Sequence, residues 1–238
     1  MYYFDPMYFL FVAPAILLAL WAQAKVKWAY AMASQILSSS GHTGASAARR
    51  VLEHGGIYDV GIEQSSGFLS DHYDPRQRVL RLSPEVYHGR SLASLGIAAH
   101  EAGHALQHSH GYAPLAIRNG LVPLASVGSN LSMILIMIGL FLDYFHSLLG
   151  WNLLLLGIGL FSVTVFFQVV NLPVEFNASS RARESLLALG LVDSDEDRVV
   201  KKVLSAAAMT YVAATITAIL TLLYYLFRAG LLGGRRDD

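Results

Sequence analysis

The sequence predicts a mainly α membrane protein, with about four transmembrane helices and a small cytoplasmic α+β module, and three observations carry that prediction. Of 238 residues, 54% are hydrophobic and 14% charged, too oily a balance for a purely soluble domain. Four segments, 7–24, 121–142, 148–170 and 204–227, are apolar without Lys, Arg, Asp or Glu and approach or exceed the roughly 20 residues that a membrane-spanning helix needs. The polar stretches between them carry most of the basic residues.

The first apolar segment ends in Ala22, Gln23 and Ala24, which fits a signal-peptidase site, but Asp5 precedes it and no Lys or Arg does. A retained anchor is the expectation, kinked at Pro14, with Tyr2, Tyr3, Tyr8, Trp21 and Trp28 in the interfacial belts. Small and hydroxyl residues spaced along the second and fourth segments suit helix contacts within a bundle. Lys25, Lys27, Arg118, Arg181, Arg183, Arg198, Lys201 and Lys202 flank the membrane ends on one side, against Arg228, Arg235 and Arg236 on the other. The positive-inside bias therefore places both polar regions in the cytoplasm and both termini outside, in a multi-pass cell-membrane protein.

The 17 basic and 17 acidic residues cancel, so no global field attracts nucleic acid, which is excluded as a partner. Without cysteine, His, Asp and Glu are the only strong side-chain metal ligands.

The expected division is an anchor helix at 1–27, an α+β module at 28–114 and two membrane helices at 115–172. A helical cytoplasmic segment at 173–203 and a last membrane helix with a short tail at 204–238 follow. Within the module, Thr43 is a candidate N-cap for a helix over 44–54, which Gly55 and Gly56 end. The segments 57–64, 67–74 and 78–83 read as short strands, the last two joined by a turn at Asp74 and Pro75. Ser83 followed by Pro84 opens a short helix ending near Gly89, and Ser91 starts one that runs to about Ser109.

That last helix carries "HEAGH". His100 and His104 stand one turn apart and can direct imidazoles at one ion, while Glu101, about a quarter turn away, can reach a water at the open coordination position. The small residues Ala98, Ala99, Ala102, Gly103 and Ala105 allow close packing beneath the ion. The plain alternative is a solvated helix face bearing histidines, yet such a face normally carries Lys and Glu, which these flanks lack.

A catalytic zinc needs a third protein ligand. His110 has the metzincin spacing, but Gln107 stands where those enzymes need a helix-breaking Gly. His108 lies about 12 Å along the helix from His100. Both read as residues behind the ligands or on the surface. Glu175, just after the third apolar segment, is the better candidate. With Pro173 at a first helical position it also fits an N-terminal acidic cap, and the two roles are compatible.

In order, the blocks "HTGASAARRVLEHGGIYDV", "GFLSDHYDPRQRVLRLSPEVYHGRS", "AAHEAGHALQH", "LPVEFNASSRA" and "VLSAAAMTYVAA" resemble the YugP-like family of membrane-embedded neutral zinc metallopeptidases, over nearly the whole chain. The resemblance implies a zincin-like module of gluzincin type. His100 and His104 would be ligands of one Zn2+ per chain, Glu101 the catalytic acid/base and Glu175 the third ligand. The gluzincin pattern places Asp four residues after the ligand Glu, and here that position is Ser179. Ser179, Asn177 and His108 are thus the candidates for hydrogen bonding behind the zinc histidines. The same comparison makes Arg78, Val79, Leu80, Arg81 and Leu82 a candidate edge strand that binds an extended substrate, against the plain alternative of an ordinary sheet strand. Asp71 and His72 line the cleft or belong to the turn.

The function expected is hydrolysis of peptide bonds, in protein or peptide substrates associated with the bilayer, at the cytoplasmic membrane interface. The alternative is a non-catalytic membrane protein with a structural metal site or none. An intramembrane protease of the site-2 class fails on inventory, because no apolar segment holds the Asp it requires.

Overall fold

The computed structural model describes residues 6–67 and 70–232. Tyr2, Tyr3, Asp5, Arg235 and Arg236, and Phe68 and Leu69 of the expected strand over 67–74, lie outside the described residues. Among the described residues, seven helices and three strands follow in the order α1 (Pro6–Ser34), α2 (Gly44–His54), β1 (Gly61–Gln64), β2 (His72–Asp74), β3 (Val79–Leu82), α3 (Pro84–Tyr87), α4 (Leu92–Ser109), α5 (Ala113–Asp143), α6 (Leu148–Ala188) and α7 (Ser194–Arg228). Four of them, α1, α5, α6 and α7, are long and apolar enough to cross a membrane.

The chain divides into two compact units. One comprises Met1–Trp21, Ile117–Asn171 and Tyr211–Asp238. Its buried cluster contains Ile136, Leu154, Ile158, Phe161, Val165, Tyr224 and Tyr225. Helix α5 meets α6 backbone to backbone here: a Cβ at Gly139 would lie 2.6 Å from Leu154 N, and one at Gly157 2.9 Å from Ile136 N. Such small-residue contacts suit helices packed where lipid removes the hydrophobic drive for association. Leu10, Val127, Met137 and Phe141 instead face outward and are more than half exposed, a surface that only an apolar solvent favours.

The second unit comprises Ala22–Ala116 and Leu172–Thr210. Its core joins Val51 and Leu52 of α2, Leu80 and Leu82 of β3 and Leu95, Ala98 and Ala102 of α4 to Ala182 and Leu186 of α6 and Val200 and Leu204 of α7. Helix α2 starts at a capping box: Ser46 N donates to Thr43 Oγ1 over 3.2 Å and Thr43 N donates to Ser46 Oγ over 2.9 Å. Thr43→Ala removes one of these bonds and should cost about 1 kcal/mol, read as a lowered Tm with zinc content unchanged. Ser91 caps α4 through Ser94 N.

Three expectations need correction. The sheet runs β1-β3-β2, with β3 parallel to β1 (Gly61 opposite Val79) and antiparallel to β2 (Tyr73 opposite Leu80). Val79, Leu80, Arg81 and Leu82 thus form the central strand with both edges paired, and Arg78 precedes it at φ 52° in an ion pair with Asp59. Burial of Val79, Leu80 and Leu82 puts this strand in the middle, so it offers no edge to a substrate.

Second, Pro173 starts no new helix. It lies inside the 41-residue α6, so Glu175 is an interior residue with no orphan amides to cap. Third, α7 begins ten residues before its apolar run. Asp193 Oδ1 accepts from Asp195 N and Glu196 N, and Asp195, Glu196 and Asp197 fill the first turn, where the helix dipole favours acids.

Candidate metal centre

The centre lies within the second unit, at the crossing of α4 and α6. A Cβ on Gly103 would fall 2.5 Å from Ala178 O, so the helices touch backbone to backbone at that point. Ala98, Ala99, Ala102 and Ala105 are buried around it and allow the approach. Glu175, about one turn before Ala178 on α6, is thereby held over the histidines of α4. Its Oε2 lies 3.3 Å from His100 Nε2 and its Oε1 3.8 Å from His104 Nε2. The two imidazole rings stand 4.8 Å apart, nearly perpendicular. One atom from each of the three residues lies within 4.8 Å of the others, and among the described residues no other cluster of His, Asp or Glu converges in this way.

The donors fit zinc. Ligand bonds of about 2.0–2.2 Å in a tetrahedron place neighbouring donor atoms roughly 3.3–3.5 Å apart, close to the separations found. Glu175 is 3% exposed, and its Oε2 is buried without a hydrogen-bond partner. A buried carboxylate oxygen left so is costly, and a cation between it and the two imidazoles removes the cost.

Hydrogen bonds orient both rings from behind. His100 Nδ1 is 3.1 Å from Ser179 Oγ, on α6. His104 Nδ1 is 3.0 Å from Gln107 Oε1. Gln107 Nε2 donates to Val174 O over 2.7 Å and to Asn177 Oδ1 over 3.0 Å. Asn177 therefore reaches the centre only through Gln107. Sequence reasoning passed over Gln107 except as the residue standing where a helix-breaking Gly would be; the available signal was an amide three residues after His104, on the same face of the helix.

The other expected residues lie elsewhere. His108 Nδ1 is 2.9 Å from Tyr73 OH on β2, so it anchors the sheet rather than a ligand. His110 Nδ1 accepts from Arg181 over 2.9 Å. His72 is exposed and donates to Ser70 O.

The local electrostatics concentrate negative charge. Burial pushes the His104 pKa down, but the neighbouring Glu175 carboxylate, the charge of Glu101 and the bond to Gln107 outweigh it, leaving the imidazole above its ordinary value. Burial raises Asp71, and the nearby Glu101 carboxylate adds to the rise against the hydrogen bonds from Ser83 N and Oγ. Glu101 itself is buried on α4 beside the three donors.

Two histidines one turn apart and a carboxylate from a second helix form a candidate metal site, with a glutamate between the histidines, in a chain with four helices of membrane-spanning length. The family model described as "Putative neutral zinc metallopeptidase" matches residues 8–230, and the chain belongs to that family. It is 46% identical over 220 residues to the "Putative membrane protease YugP" of Bacillus subtilis (strain 168), covering 92% of this chain and 95% of that one. No solved structure matches.

Proposed function

We propose that the protein is a membrane-anchored zinc endopeptidase that hydrolyses peptide bonds at the cytoplasmic face of the membrane. The observation that carries this reading is the convergence of His100, His104 and Glu175, with the buried Glu175 Oε2 unpartnered. The excess of Lys and Arg flanking the second unit's ends of the apolar helices supports a cytoplasmic site.

Zinc held by the three residues would supply Lewis acidity and lower the pKa of a water at the fourth position to about 7. Glu101 would serve as the general base toward the attacking water and return the proton to the departing amine. Ser179 and Gln107 hold the imidazoles from their Nδ1 sides, which would leave both Nε2 atoms for the ion. With β3 enclosed, an extended substrate adds to the outer edge of β2, the edge strand that packs on α4. The substrate is a membrane protein or a segment emerging from the bilayer, because the anchor helices confine the site to that surface.

The testing measurement is the zinc-to-protein ratio of the detergent-purified chain beside Glu175→Ala. A ratio near one that falls several-fold in the variant is expected. Zinc retained in full by Glu175→Ala would refute the ligand set, and a folded parent chain without zinc would refute the enzyme.

A further inference from the structure

The zinc reading above is the premise here. We infer that Gln107 is a positioning residue: its side-chain carbonyl fixes the ring proton of His104 on Nδ1, leaving Nε2 free to bind metal.

The orientation of the amide follows from its partners. Gln107 is 0% exposed, so each of its polar atoms needs a partner inside the protein. Val174 O can only accept, so the atom 2.7 Å from it is nitrogen. The second contact agrees: Asn177 Oδ1 already accepts from Arg181 Nε over 2.8 Å, which marks it as oxygen, and it receives the other Nε2 hydrogen over 3.0 Å. Both amide hydrogens are then used, and Oε1 is left facing His104 Nδ1 at 3.0 Å. An oxygen there can only accept, so Nδ1 carries the proton.

His100 lacks this constraint. Its partner is the Ser179 hydroxyl, which can donate or accept, so the contact by itself selects neither tautomer. The contacts of its nitrogen with Val174 O and Asn177 Oδ1 serve to hold the Gln107 amide oxygen toward His104.

A residue that merely glued α4 to α6 would make the same contacts, so the test separates the two ends of the amide. Gln107→Met keeps the length and loses every hydrogen bond. Gln107→Glu keeps the acceptor toward His104 but loses both donors to α6. Zinc affinity of the detergent-purified full-length chains is measured by competition with a chelator, alongside Tm and the visible spectrum of the cobalt-substituted proteins. Gln107→Met should weaken zinc about 10- to 100-fold and alter the cobalt spectrum, whereas Gln107→Glu should stay within about threefold of the parent despite a lower Tm.

Zinc affinity unchanged in Gln107→Met, or falling in step with Tm in both variants, would overturn the inference while the parent's bound zinc left the peptidase reading standing. Where Gln107→Met does not fold, Gln107→Glu decides alone: zinc held at reduced Tm supports the inference, and zinc lost with Tm overturns it. A folded parent that binds no zinc overturns the peptidase reading and the role of Gln107 together.

Discussion

Glu101→Gln should keep zinc at the parent ratio while lowering the cleavage of an unstructured protein substrate by about 10²–10⁴-fold, the range that a positioned general acid–base contributes. The substitution is nearly isosteric and leaves His100, His104 and Glu175 in place, so metal binding has no reason to change. The amide, however, cannot take a proton from the attacking water. Glu101 is buried on the same helix as both histidines, and the charge it presses on Asp71 and His104 is removed with it. Parallel zinc analysis and turnover assays check the prediction. A variant that cleaves at the parent rate would leave a metal site with no catalytic carboxylate at this position and favour a structural role for the ion.

Gly103→Ala is the second large effect, and it separates stability from function. The added Cβ would stand 2.5 Å from Ala178 O, a backbone atom that cannot swing aside. Overpacking of this kind costs about 1–3 kcal/mol, of which the better helix propensity of Ala returns about 1. The loss in Tm should therefore be modest. The helices must still part, and Glu175 sits one turn from Ala178, so the third donor withdraws from His100 and His104. A displacement near 1 Å at reacting groups costs about 100-fold, and activity should fall by that order while most of the chain stays folded. Turnover and thermal unfolding of the same preparation provide the check. Parent activity in Gly103→Ala would show that the crossing tolerates a wider spacing than the contact implies.

The local elements were legible wherever chain chemistry alone decides them. Thr43, Ser91 and Pro84 marked helix starts at α2, α4 and α3, since capping and proline stereochemistry act within a single turn. The apolar runs announced the four long helices, because length and hydropathy are properties of a segment. Their extents were not legible. Propensity read Pro173 as a boundary, but the interior of α6 carries it.

Strand order was equally hidden. Turn signals and strand propensity do not say which of three short strands is central, and that depends on Leu80 and Leu82 packing against α2 and α4. At the site, His100, Glu101 and His104 followed from helical spacing, and Ser179 was a candidate only through the resemblance, whose pattern puts Asp at that position. Gln107 did not, because its partners Val174 and Asn177 are 67 and 70 residues away and depend on how α4 and α6 cross.

The two helices that cross at Gly103 are made at different times. His104 is polymerised 71 residues before Glu175, with all of α5 and the apolar part of α6 still to be made in between. At about 5–20 residues per second, the growing chain carries the histidines and Glu101 for roughly 4–14 s before the third donor exists. Under the proposed ligand set, the growing chain therefore has no three-ligand site until the third apolar segment and the residues just beyond it have been made.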